Sequence, residues 1–174
     1  MAVWNVIDHT ELSGTATYWE KDSIGTSYDH LCLVTSQRVD ASVIEQSTDL
    51  TFNASGTGYS YTYFEARTTT PISSRASSQG RILGPYSLGA NGQGDTFALS
   101  TTWIPYYANT SGYKSVFTSQ TVPNNSVTNY EWRVMNLAGL WKSTLAIDKV
   151  RVETSGGNFV QYSTFTLYGI NGAA

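Results

Sequence analysis

The chain has 174 residues, enough for one domain with its own core and too few for two. Its only cysteine, Cys32, excludes an intramolecular disulfide framework. Its 10 basic and 13 acidic residues are scattered without blocks, which excludes the electrostatic footprint of a binder of nucleic acid or anionic membrane.

Composition points to strands. Charged residues make up only 13% of the chain and aromatic residues another 13%, with twelve Tyr and five Trp among abundant Ser, Thr, Gly and Asn. Thr and Tyr suit a pleated, half-buried surface, whereas helices favour Ala, Leu, Glu and Lys. So little surface charge also makes an isolated chain sticky, which implies an assembled or partner-covered state.

From the amino terminus, Met1 to Asp8 has no basic segment and only a short apolar run. Neither a signal peptide nor a membrane span is expected there, so the chain is expected to be made in a cytoplasm and to stay soluble. Thr15 to Trp19 is the first clear β-type run. Tyr28 to Thr35 is apolar on both faces and predicts a central strand. Leu50 to Asn53 is short and stops at a turn, Ser55 to Gly58. Tyr59 to Ala66 alternates and puts Tyr59, Tyr61 and Tyr63 on one face.

Between about 68 and 94, Ser and Gly dominate, which predicts a long loop with at most a brief strand at Arg81-Ile82-Leu83. Ile72, Arg75, Arg81, Ile82, Leu83 and Tyr86 are its only anchors, and they are expected to dock it onto a neighbouring subunit. Pattern resumes over Thr96 to Leu99 and runs to Trp103-Ile104-Pro105, where the proline implies an edge or an end. Lys114 to Thr118 is the next strand, followed by a turn at Pro123-Asn124-Asn125. Tyr130 to Met135 alternates aromatic or aliphatic residues with charged ones, as a half-buried strand does, and Ala138 to Lys142 is read as a break. Ile147 to Glu153 and Ser163 to Ile170 are the last strands, with Val150, Val152, Phe165 and Leu167 expected in the core. The total is eight to eleven antiparallel strands with no helical period. Residues 1–174 are therefore expected to form a single all-β domain, a two-sheet jelly-roll-like sandwich.

Motifs for chemistry are sparse. His30 and Cys32 share a strand face, but zinc needs more ligands at close spacing, so a buried strand thiol is preferred. No Gly-x-Ser-x-Gly elbow is present. The acid pairs Glu20 with Asp22 and Asp148 with Glu153 lie beside turns among polar residues, as solvated loop acids do. Gly89 to Gly94 has no following Lys-Ser or Lys-Thr and opens no helix, so it is a loop and not a phosphate cradle. No Asp-x-Asp-x-Asp-Gly loop occurs, although calcium held by scattered loop carbonyls leaves no sequence mark. Asn53, Asn109 and Asn124 match the glycosylation sequon by chance in so Ser- and Thr-rich a chain. No catalytic residue, cofactor or metal is expected, and the chain is read as a non-enzyme. Trp103, Tyr106, Tyr107 and Tyr113 stand together as a candidate contact for host glycan or for a protein partner.

Several phrases come in a telling order: Asp95-Thr96-Phe97, Trp103 to Tyr107, Lys114 to Phe117, Leu137 to Thr144, Gly157 to Val160, and the closing Ser163 to Ile170 with its Phe-x-Leu-Tyr-Gly-Ile. Over roughly residues 10 to 171 the chain resembles a β-sandwich domain of tailed-bacteriophage virion proteins, found in tail fibres and other particle-surface proteins. The stretch from Thr68 to Gly94 carries little of the likeness. The resemblance implies a structural or adhesive role without catalytic residues. Because the sandwich starts soon after Met1, with no fibre-type anchor, the expected role is a capsid decoration (cement) subunit on the virion surface. It would be assembled in the host cytoplasm, would form a homo-oligomer, most simply a trimer, and would contact the major capsid protein. A tail fibre or receptor-binding module gripping host glycan is the second reading, and a carbohydrate-binding module or glycan-active enzyme the third.

Overall fold

The computed structural model describes residues 3–67, 70–124 and 132–172. Among them the chain forms fourteen strands and no helix. The first seven are β1 (Val3–Glu11), β2 (Tyr18–Lys21), β3 (His30–Gln37), β4 (Glu45–Gln46), β5 (Thr48–Phe52), β6 (Tyr59–Arg67) and β7 (Thr70–Gln79). The rest are β8 (Ile82–Leu83), β9 (Ser87–Leu88), β10 (Ala98–Pro105), β11 (Lys114–Val122), β12 (Arg133–Trp141), β13 (Val150–Thr154) and β14 (Thr164–Asn171).

Eight of them make one antiparallel sheet in the order β1-β14-β3-β10-β11-β12-β6-β7, packed against a four-stranded sheet, β2-β13-β5-β8. A two-stranded ladder, β4-β9, closes one end. The meander β10-β11-β12 is local, but β2, β3 and β5 alternate between the two main sheets. That crossing is the wiring of a jelly-roll-like sandwich. The expected all-β fold therefore stands, and the strands beyond the expected eight to eleven include three of two residues each, too short to leave a sequence period.

The core lies between the sheets and is supplied by alternate residues of each strand. Phe165 and Leu167 of β14, with Val150 and Val152 of β13, point into it and are fully buried, as their spacing predicts. The ring of Phe165 stacks on Trp19 at 5.5 Å and meets Phe159 edge-on at 5.1 Å. Tyr59 stacks on Trp141 at 6.0 Å, and its hydroxyl donates to the carbonyl of Phe52. The central position predicted for the strand after Tyr28 is found in β3, which lies between β14 and β10. Pro105 ends β10, as a residue without an N–H should.

Three readings need correction. The stretch from 68 to 94 is not a long loop: ten of its residues form β7, paired along β6, and β8 and β9 follow (Thr68 and Thr69 lie outside the described residues). Ser-rich composition hid β7 because an edge strand needs backbone pairing on one side and little apolar side chain. Ala138 to Trp141 does not break its strand but completes β12. Gly139 is there because Ile82 of the opposite sheet presses on it, and a Cβ would stand 3.0 Å from that side chain. The first strand is β1, which lies before the run at Thr15.

Candidate functional site

The eight-stranded sheet has an inner face towards the core and an outer face without a second layer. Register assigns the faces. Thr102 pairs with Leu33 and Thr118, and Thr118 with Leu137, all inward. Trp103 pairs with Cys32 and Phe117, Phe117 with Ala138, and Ala138 with Thr62, all outward. The alternation of β11 and β12, buried then exposed at every step but Leu140, which is half-buried, follows.

The inner face carries charge. Arg133 is buried between two buried carboxylates, donating to Glu45 and, at 2.7 Å, to Glu65. Arg67 reaches Glu45 at 3.2 Å, and the Arg133 guanidinium lies 3.6 Å over the ring of Tyr86. Burial pushes the Tyr86 hydroxyl above its usual pKa, with the Arg133 charge opposing. Lys114 is buried as well, with its ammonium donating to the carbonyls of Asn109 and Gly112. Hydroxyls pair across the strands, Thr35 with Ser100 at 2.7 Å and Thr102 with Thr118 at 2.9 Å.

The outer face is the reverse. On β14, β3, β10, β11, β12 and β6 no outward residue is Asp, Glu, Lys or Arg, and His30 is the one basic side chain. Instead Leu99 is 54% exposed, Phe117 48%, Val134 45% and Phe64 57%. Trp4 of β1 is exposed too, and its ring meets Trp103 at 5.3 Å and Tyr168 at 5.4 Å, both edge-on. Cys32 lies between Trp103 and Tyr168 in the register and is fully buried, so burial pushes its thiol up to about 11. Shallow grooves run along the face, one over Val34, Leu99 and Thr101, another over Thr62, Arg75 and Ala138. Sequence reading missed this surface. The alternation of Trp132-Arg133-Val134-Met135 suggests apolar residues inside and charge outside, but Arg133 and Met135 face inward while Val134 and Trp132 are exposed (Tyr130 and Glu131 lie outside the described residues).

The aromatic quartet divides. Tyr107 is fully buried in the core and donates its hydroxyl to the carbonyl of Gly25, so it belongs to no surface contact. Trp103 is on the outer face, and Tyr106 and Tyr113 stand exposed in the loop after β10. Tyr106 packs edge-on to His30 at 4.8 Å, and its N–H donates to that imidazole.

The six proposed subunit anchors also divide. Ile82 is in the core of its own sandwich, with Leu83 and Tyr86 packed against that core, and Arg81 pairs with Asp49 of the same chain at 2.5 Å. Ile82 is therefore occupied within its own chain, because β8 belongs to the second sheet, while the Arg81 side chain stays 55% exposed. Ile72 and Arg75 remain exposed on the edge strand β7.

Two of the acids read as loop acids lie in strands instead, Glu20 in β2 and Glu153 in β13, paired with Lys149 at 3.2 Å and with Arg151 at 3.1 Å. The Gly89 to Gly94 loop wraps the Arg38 guanidinium, which donates to the carbonyls of Gln93 and Thr96. Asn53 is a turn fastener, accepting from the N–H groups of Asp148 and Lys149 and donating to Ala146. Among the described residues no three His, Cys, Asp or Glu gather as metal ligands.

Compared with protein-family models, with curated proteins and with solved structures, the chain finds no match.

Proposed function

We propose that this chain is a non-enzymatic structural protein of a tailed-phage particle, a capsid decoration subunit on the virion surface, assembled in the host cytoplasm. The observation that carries the reading is the outer sheet face, uncharged and set with exposed Leu99, Trp103, Phe117 and Phe64. An apolar surface of that extent on a domain with so little charge is a surface to be covered. The phrases that carry the resemblance to phage virion proteins build its middle strands, β10, β11, β12 and β14. Such a subunit works by contact area: it self-associates and lies against the major capsid protein, adding buried surface that resists the pressure of packaged DNA.

A glycan receptor site is the less favoured reading. Trp4 and Trp103 meet at 82°, so they do not make the level platform on which a sugar chain stacks. The exposed Tyr106 and Tyr113 are what such a reading would use, as the tip of a receptor-binding module. Imaging of intact particles tests the proposal. Density for this sandwich on the outside of the head is the expected result, and absence of the chain from purified particles would overturn it. Density at a tail tip, with binding on a glycan array, would shift the role to receptor binding.

A further inference from the structure

The outer face needs an occupant, and we infer that it is a second copy of this chain, docked face to face about a two-fold axis parallel to the strands. The inference rests on the particle role only for its setting. Its physical case is area, edge protection and the absence of charge between the rims.

Eight strands about 4.8 Å apart and eight to ten residues long give a face of roughly 1,000 Å². A stable interface takes about 800 Å² from each partner, so one copy supplies the whole requirement of another. Sheets stack face to face about 10 Å apart with side chains interleaved. Phe117, Leu99 and Phe64 stand as ridges beside the grooves over Thr101 and Ala138, so a twin surface offers both parts.

The edges of the sheet are protected where the face is not. On β7 there is Pro71 near the start, Arg75 in the middle and a break in register opposite Tyr59 to Tyr61; on β1 there is a bulge between Val6 and Asp8. These are the devices that prevent strand-to-strand growth. The six strands between these edges carry no outward Asp, Glu, Lys or Arg, and two copies that met there would bury no such ion.

Charge appears only at its two rims, with opposite signs. Glu11 is outward and exposed on β1 at one rim, and Arg75 outward and exposed on β7 at the other. A two-fold axis along the strands lays the β1 rim of each copy over the β7 rim of its partner. The register sets Glu11 level with Pro71 and Arg75 level with Val6, so each charge then lies over a neutral part of the opposite rim and no like charges meet. An axis across the strands would set like rims together, and a threefold contact would leave part of each face open.

Sedimentation of the purified chain, with Phe117→Asp and Arg75→Glu, tests this. The expected result is a dimer at micromolar concentration. Phe117→Asp should weaken it by at least about thirtyfold, the size of a hot-spot loss, with the circular dichroism unchanged. Arg75→Glu, at the rim and opposite no charge, should change it little. A chain that stays monomeric at every concentration, or an oligomer indifferent to Phe117→Asp, would overturn the inference. Hydrogen-exchange protection confined to the β7 backbone would do so as well. A monomer that still coats phage heads would remove this pairing and leave the particle role, whereas a face-paired dimer missing from particles would do the opposite.

Discussion

The two faces of the eight-stranded sheet differ in where charge lies: the apolar core face still holds charged side chains, and the six middle strands of the outer face hold no Asp, Glu, Lys or Arg. Inside lie Arg133, Glu65, Lys114 and the paired hydroxyls; outside lie Leu99, Phe117, Val134 and Phe64. Neither face breaks a physical rule. A buried polar group is costly only when it lacks a partner, and each inner group just named has one within its own chain. An exposed apolar side chain is tolerated singly, but a field of them without charge is not typical of a lone monomer. The contrast teaches that charge can lie on the core side of a sheet when its partners come from the same chain, and that charge in a strand pattern is no sign of which face is buried.

The largest effects belong to the inner face. Arg133→Ala leaves Glu45 and Glu65 facing each other without their buried cation, and urea unfolding should show a loss of about 3–5 kcal/mol. Phe165→Ala removes the ring packed on Trp19 and Phe159 and should cost a similar amount, about 3–5 kcal/mol. Near-neutral behaviour at Arg133 would mean that the inner charges are solvated and that the two faces differ less than their burial implies.

Gly169 probes the junction of sheet and loop. The ring of Tyr28 packs against its backbone so closely that a Cβ would overlap it, which accounts for the glycine in the closing Phe-x-Leu-Tyr-Gly-Ile phrase. Gly169→Ala should therefore lower stability by about 1–3 kcal/mol, the usual cost of overpacking, as read from the denaturation midpoint.

Some of this was legible in the sequence. Period-two alternation, frequent turns and the lack of a helical period lead to the sandwich, and Phe165, Leu167, Val150 and Val152 declare their face because both neighbours on each side are polar or semi-polar. The face of β12 was not legible, since Arg133 is inside only because Glu45, far away in sequence, comes to meet it. The strand β7 was not legible either, because its order comes from backbone pairing with β6, which leaves no mark in side-chain pattern. Tyr107 looked like its neighbours Tyr106 and Tyr113, and only the turn at Tyr106, with φ at 49°, sends it inward.

Chemical reactivity separates the closed part of the outer face from the open part. With its pKa near 11 and no exposed surface, Cys32 is almost wholly protonated at pH 8, only about one molecule in a thousand being thiolate. Iodoacetamide should leave it unmodified in the folded chain and label it on unfolding. Trp4→Ala, which takes away the ring packed on Trp103 and Tyr168, should speed labelling severalfold in the native state. Equal labelling with and without Trp4 would show that this aromatic group does not close the surface over the thiol.

The smallest effect expected is also the one that bears hardest on the comparison. Leu99 and Val134 are exposed, lie on the outer face and touch the solvent that a partner would displace. If they served the fold of the single chain, shortening or polarising them would cost as much as it does in a core. If they serve a surface that is covered only on assembly, the isolated chain should hardly register the change. Leu99→Thr and Val134→Thr keep β propensity while removing apolar area. Each should alter the stability of the dilute, dissociated chain by no more than about 0.5 kcal/mol, the range of ordinary surface positions. The same pair should lower the concentration-dependent part of the melting temperature, because binding adds stability only to the extent that the bound state is populated. A loss of about 2 kcal/mol or more in the dilute chain would place both side chains in a packed intramolecular environment, and the outer face would then be a second core face of the same domain.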